Sequence, residues 1–383
     1  MGQDFPVDPI AVYLHNPFCL SLCPYCSFYR VPWTRGAQKE YYELLLKELE
    51  LWEKRIGRGI EARTIYFGGG TPSLLESQWI SELCQRLGLE GKSPDVEVTL
   101  EINPIQVTES FLHGLSSTPV NRISLGVQSL NDEALGYLGR RHKGSQVPGA
   151  IKLLREHGFD NVSVDLMYGI PLMDVADLQR DLEGLIALEV EHISCYLLTL
   201  DEDSTLYAEI ERGDSPPLPD SEECRKQYEL IIQTLRDAGY HHYEISNFAR
   251  SGYESKHNLS YWQMEPYLAL GASASGWLPP LFYTNPNDLT EYKEQIQRGE
   301  LMPDAEELDG TAQIDTARMM GLRLLKGIDS SVFEKRFGGW LSDERQAKIQ
   351  ALQKIGMIKW QDGRLCLSDE ALFVSNSVIG ELL

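Results

Sequence analysis

Six short apolar runs, each followed by a longer amphipathic stretch, constrain the fold of this chain more than any other feature. The runs are Ala11–His15, Thr64–Phe67, Val96–Glu101, Arg122–Val127, Val162–Leu166 and His192–Leu197. Each has the length and the β-branched or aromatic content of a strand. Between them lie helical patterns such as 38–54, where Tyr41, Leu45 and Leu49 keep one apolar stripe. Strands that alternate with helices pair in parallel through right-handed crossovers. The expectation is therefore an α/β fold, a partial (β/α)6 TIM-like barrel over residues 1–250.

In such a barrel the carboxyl ends of the strands share one face, and sites are built there from successive loops. The unusual residues fall on those ends. The first strand runs into Cys19-Leu-Ser-Leu-Cys23-Pro-Tyr-Cys26, the second into Gly68-Gly69-Gly70-Thr71-Pro72, the third into Glu101-Ile-Asn-Pro104 and the fourth into Gln128. The fifth ends around Asp165 and the turn Tyr168-Gly-Ile-Pro171. After about residue 200 the pattern changes to a Pro-rich loop, Asp214–Pro219, a helix over 222–238 and the aromatic-rich stretch Tyr240–Phe248. Residues 251–300 read as a motif-bearing segment and linker. Residues 301–383 carry helices and then a hairpin turning at Asp362-Gly363, a small α+β, winged-helix-like carboxyl-terminal domain.

With 57 acidic against 35 basic side chains and a formal charge of -22, the chain is a poor partner for nucleic acid or anionic lipid. No segment approaches an unbroken apolar span and the amino terminus lacks a leader pattern, so the expectation is a soluble cytoplasmic protein and not an integral membrane protein. Seven cysteines agree with a reducing compartment. Cys84, Cys195, Cys224 and Cys366 stand singly among apolar neighbours, as buried thiols do.

Cys19, Cys23 and Cys26 differ. Structural zinc takes four closed ligands, and the second half of such a site is missing; His15 lies in the strand before the loop. Thiolates also hold iron–sulfur clusters, and three of them leave one iron of a four-iron cube open to an exogenous chelate. The Cys-x-x-x-Cys-x-x-Cys spacing with the strand-end motifs resembles the radical S-adenosylmethionine superfamily. The resemblance implies a [4Fe-4S] cluster on the three cysteines, Tyr25 near the adenine of S-adenosylmethionine, and backbone groups of Gly69, Gly70 and Thr71 at its methionine end.

A closer resemblance, over nearly the whole chain, is to the oxygen-independent coproporphyrinogen III oxidase family. It rests on Tyr13-Leu-His-Asn-Pro-Phe-Cys19, Phe67–Pro72, Glu101–Pro104, Gly126-Val-Gln128, Leu138-Gly-Arg140 and Asp165–Pro171. It implies that Tyr13, Glu101, Gln128, Arg140 and Asp165 contact S-adenosylmethionine, carboxylates accepting from ribose hydroxyls and the arginine meeting the ligand carboxylate.

The sequence departs from the oxidases in three places: Phe28 stands where they resemble this loop but carry a further cysteine, Ser246-Asn247 replaces an Asp-His pair, and the first strand begins almost at once. These departures point to the oxidase-like branch of haem chaperones. His257-Asn258-Leu-Ser-Tyr261-Trp262 is similar to a motif linked with haem binding there. Imidazole can ligate haem iron, tyrosine can ligate or hydrogen-bond, and tryptophan offers a porphyrin a broad apolar face. Near Ser275 a histidine common in the family is missing. The resemblance implies haem as cargo and acceptor haem proteins as partners, at a membrane surface on the inner face, and leaves room for a homodimer. The alternative is an active radical enzyme acting on a porphyrinogen.

Overall fold

The computed structural model describes residues 9–302, 305–339 and 342–383. The amino-terminal octapeptide read above for a leader lies outside them. The expected strands are present as β1 (Ile10–Asn16), β2 (Ala62–Gly69), β3 (Glu97–Ile102), β4 (Arg122–Gln128), β5 (Val162–Tyr168) and β6 (His192–Leu197). They pair in parallel in chain order. β2 runs two residues past its apolar part because Gly68 and Gly69 stay in register with His15 and Asn16.

The sheet does not stop at six strands. β7 (His241–Glu244) and β8 (Asn247–Ala249) add antiparallel to the β6 edge. β9 (Tyr267–Leu270) pairs in parallel with β1, and β10 (Ser275–Leu278), β11 (Leu281–Thr284) and β12 (Glu306–Glu307) follow antiparallel. The order is β12-β11-β10-β9-β1-β2-β3-β4-β5-β6-β8-β7. Residues 251–300, read from sequence as a motif segment and linker, thus supply two helices, Lys256–Trp262 and Leu289–Arg298, and three strands of the barrel's own sheet. Each of those strands is four residues long, and Gly271, Gly276 and Pro279-Pro280 break their pattern, so periodicity gave no strand signal there.

Side chains alternate along the parallel strands, as a pleat requires. Val12, Leu14, Ile65, Phe67, Val98, Leu100, Ile123, Leu125, Val164 and Ile193 pack outward into one core under the helices. The opposite faces carry Tyr13, His15, Thr64, Tyr66, Thr99, Glu101, Arg122, Ser124, Ser163, Asp165, His192 and Ser194. These side chains meet across strands, as in Tyr66–Glu101, Ser124–Asp165 and Ser163–His192. The lumen is therefore polar. Cys84, Cys195, Cys224 and Cys366 are buried free thiols, as expected.

The carboxyl-terminal domain has helices Gly310–Gly321, Ser330–Phe337 and Asp343–Lys354 and a hairpin, Ile358–Gln361 with Arg364–Leu367. Its turn places Asp362 and Gly363 at φ 51° and 75°, the pair of positive angles that a two-residue hairpin turn needs. Ile328–Asp329 adds a third strand, which completes the winged-helix-like arrangement. The domain docks on β7 through Ile245 N–H to Arg323 O at 3.1 Å and Leu325 N–H to Tyr243 O at 3.1 Å. Among the described residues no helix is long and apolar enough to cross a membrane.

Candidate cluster and cofactor site at the barrel mouth

The loop after β1 is tied at both ends. Phe18–Cys19 pairs with Val31–Pro32, and Asn16 Nδ2 donates to Thr71 O at 2.9 Å while Gly70 N–H donates to Asn16 O at 2.8 Å. The cysteine loop and the glycine turn are therefore one unit. Within the loop Arg30 donates to the carbonyls of Cys26 at 2.5 Å and Cys23 at 2.7 Å, fixing the backbone beside both thiols. Thr71 Oγ1 lies 3.5 Å from Cys19 Sγ, and Arg140 Nη1 lies 3.7 Å from Cys23 Sγ.

Burial pushes the Cys19 and Cys26 thiols up, while hydrogen bonds and the Arg30 guanidinium pull the other way. A cluster needs thiolates, so cations beside the loop suit it. Among the described residues no three His, Cys, Asp or Glu side chains are gathered for one metal ion. A four-iron cube instead takes each thiolate on its own iron.

The glycines are where a side chain would not fit. A Cβ on Gly70 would stand 2.9 Å from Cys19 Sγ and from the Pro17 carbonyl, and one on Gly69, at φ +110°, 2.6 Å from the His15 ring. Only a bare backbone allows so close an approach. Asn16 Oδ1 is buried here without a partner. Three thiols, two guanidiniums and a half-buried glycine backbone without side chains are a set that fits a cluster with an amino-acid chelate.

Below the glycines, Glu101 accepts from Gly69 N–H at 3.1 Å and from the Tyr66 hydroxyl at 2.9 Å. Burial, then the charge of Asp165, pushes its carboxyl up to about 7. Asp165 is also raised, chiefly by burial, and accepts from Ser124 at 3.3 Å. Gln128 sits at φ 67°, where the β4–β5 register shifts, so the chain turns sharply at that strand end. Arg140 Nη2 bonds Gly126 O at 2.8 Å and Asn103 Oδ1, and the Tyr25 phenol lies against the same guanidinium. Tyr13 lies one layer deeper. His15 Nε2 donates to Tyr29 O at 3.1 Å, so its Nδ1 accepts from the Tyr13 hydroxyl at 2.9 Å.

The second group of candidates is elsewhere in the lumen. His257 is 1% exposed, with Nδ1 2.8 Å from Thr64 Oγ1 and Nε2 2.6 Å from the Tyr261 hydroxyl, and its ring stacks on Tyr66 at 5.0 Å. Burial, then the charges of Arg122 and Arg63, lowers it to about 3, so the imidazole is neutral. Glu97 receives the N–H groups of Lys256 at 3.1 Å and His257 at 3.0 Å, anchoring the start of the helix. Trp262 points away from the lumen, under the Arg323 guanidinium at 4.7 Å, and Asn258 is half-buried beside its Ser255 cap. The motif thus brings His257 and Tyr261 together in the lumen and sends Trp262 toward the carboxyl-terminal domain.

Sequence reasoning missed Asn16, Arg30, Glu97, Asn103 and Arg122. Arg30 and Asn16 act on backbone carbonyls, which leave no pattern. Glu97 and Arg122 left a signal, charges inside apolar runs, which marks a polar inner face.

Comparison with known proteins gives the chain's relatives. Residues 13–185 match the model of the radical SAM superfamily, and residues 310–374 match the HemN C-terminal domain. The chain is 33% identical to the haem chaperone HemW of Lactococcus lactis, over 98% of this chain and 97% of that one. It is 31% identical to the HemW of Bacillus subtilis, over 97% and 99%. In structure it resembles coproporphyrinogen III oxidase (HemN) of Escherichia coli, with a TM-score of 0.83 at 21% identity, over 99% of this chain and 91% of that one.

Proposed function

This chain belongs to the HemW haem-chaperone family within the radical SAM superfamily, and on that footing we propose that it binds a [4Fe-4S] cluster, S-adenosylmethionine and haem, and transfers haem to acceptor haem proteins. The observation that carries the cofactor reading is the joined cysteine loop and glycine turn, with Gly70 packed on Cys19. Cys19, Cys23 and Cys26 would hold the cluster. Gly69, Gly70, Thr71, Tyr25 and Arg140 would meet S-adenosylmethionine near it, with Glu101, Gln128, Asp165 and Tyr13 on its ribose side. The cluster, when bound, supplies one-electron chemistry to that ligand. The chain's own part is to hold it: Arg30 stiffens the loop, and Glu101 offers a second acceptor lone pair while keeping Gly69.

His257, Asn258, Tyr261 and Trp262 would serve haem. Because both His257 nitrogens are engaged, ligation requires Tyr261 or Thr64 to let go. Cofactor binding that favours one arrangement of the lumen would shift that population, which gives the cluster a role in loading or release. Residues 1–250 carry the cofactors, 251–300 the haem motif and 301–383 a packing module. A cytoplasmic homodimer meeting its acceptor at the inner membrane face completes the reading. Phe28, 62% exposed at the mouth, and Asn247, buried at the start of β8 and bonded to Glu244, supply neither thiol nor acid for oxidase chemistry.

Anaerobic reconstitution with product analysis tests the reading. Steady conversion of coproporphyrinogen to a vinyl product would overturn it in favour of a radical enzyme. Haem titration should show a site lost in His257→Ala, and Cys23→Ala should lose the cluster iron.

A further inference from the structure

Low on the inner wall of the lumen, one cation makes no direct ion pair, although the charges of Asp165 and Glu101 are within its electrostatic reach. Arg122, the first residue of β4, is 2% exposed. Its Nε is closed off from solvent without an acceptor, and among the described residues its guanidinium makes no ion pair. Thr99, its register partner on β3, is 0% exposed and its hydroxyl is also without a partner. Two neighbouring buried groups thus lack hydrogen-bond partners, and one of them cannot shed its charge.

The acceptors that could have served them are committed elsewhere. Glu101 holds Gly69 and Tyr66, Asp165 holds Ser124, and Glu97 holds the start of the motif helix. Ser163 and His192 bond each other at 2.7 Å, and His192 continues to Tyr243 at 2.9 Å. Asp165 and Glu101 offset the charge of Arg122 without hydrogen-bonding it, so its buried Nε–H and the Thr99 hydroxyl stay unfilled, a cost that a ligand bonding both would remove. The complement of a planar guanidinium beside a hydroxyl is a carboxylate.

We propose that Arg122 and Thr99 form a seat for a carboxylate carried into the lumen, the guanidinium taking both oxygens and Thr99 Oγ1 donating a further bond. The source rests on the haem reading above: a haem propionate, with His257 in the same compartment and within electrostatic reach of Arg122. The seat itself does not depend on that reading, since any small carboxylate has the same chemistry.

Arg122→Met tests it, because it removes the guanidinium while keeping most of the side-chain volume. Affinities for haem and for haem dimethyl ester, whose propionates are masked, are measured by absorbance on the intact protein. Wild type should prefer haem by about ten- to a hundredfold, the range of a charged hydrogen-bonded pair, and Arg122→Met should bind both alike. Wild type that binds haem, with Arg122→Met keeping the full preference, refutes the seat and leaves the chaperone reading standing. Wild type that binds no haem fails that reading, and sodium propionate then decides the seat. A saturable rise in wild-type melting temperature, absent in Arg122→Met, supports it; no rise in wild type overturns it. Should Arg122→Met not fold, Thr99→Val, which keeps the charge, must lower the same preference or propionate response, and an unchanged response overturns the seat.

Discussion

Glu101 is held by two donors yet sits where its charge is costly. Its carboxyl titrates near 7 in the fold against an ordinary 4.5, because burial and Asp165 both disfavour ionisation. Between those values the folded chain keeps a proton that the unfolded chain has lost, so stability falls as pH rises through that window. In the cofactor-free protein, Glu101→Gln should raise the unfolding free energy from urea curves at pH values above about 8, by ~3 kcal/mol at most, and leave it unchanged below about pH 4. The same change should weaken S-adenosylmethionine binding by about ten- to a hundredfold, by loss of a charged acceptor. Titration calorimetry beside the urea curves checks both signs; a purely structural carboxylate would not trade one for the other. At this scale the cysteines and the glycines were legible, because their chemistry needs those residue types. Arg30 was not, because it acts on the carbonyls of Cys23 and Cys26, and any residue offers a carbonyl.

The helix Lys256–Trp262 shows what an element adds to a motif. In the sequence, His257 and Tyr261 are a histidine and a phenol four residues apart, which places them on one helical face. The fold turns that face into the lumen and closes a bond between them at 2.6 Å. If iron is taken through Nε2, Tyr261→Phe removes a competitor and should tighten haem binding by about five- to tenfold, the value of one neutral hydrogen bond. Haem titration of the variant checks this, and weaker binding would make Tyr261 a ligand in its own right. Glu97 holds the other end of the helix. Glu97→Gln should cost about 1–2 kcal/mol in urea unfolding, as loss of a charged cap does. The Glu97 anchor was not legible beforehand, because Glu97 and Lys256 are distant in sequence and meet only once β3 forms the lumen wall.

Across the whole molecule, the order of pairing decides what can move. The six parallel strands were legible because each is a local pattern. The β9–β1 pairing was not, since Ala11 meets Tyr267 across most of the chain and four residues carry little periodicity. That pairing makes the sheet span the motif helix, with β8 before it and β9 after it, so the helix is fixed at both ends by the barrel. The carboxyl-terminal domain then closes over its exit: Arg336 donates to Gln263 O at 2.6 Å and to Met264 O, where the chain turns at φ 51°. Arg323 covers Trp262 from the same side. Two charge-assisted bonds to backbone carbonyls are worth about 1.5–3 kcal/mol each. Arg336→Met should therefore raise amide exchange over residues 256–264 by at least about tenfold, while exchange in β2 to β5, inside the core, stays as slow as in wild type. If His257 reaches iron only when the helix shifts, haem should also load faster in this variant, at an equilibrium affinity that changes little. Exchange confined to helix Ser330–Phe337, with residues 256–264 unmoved, would mean that the domain rests on the barrel without controlling it.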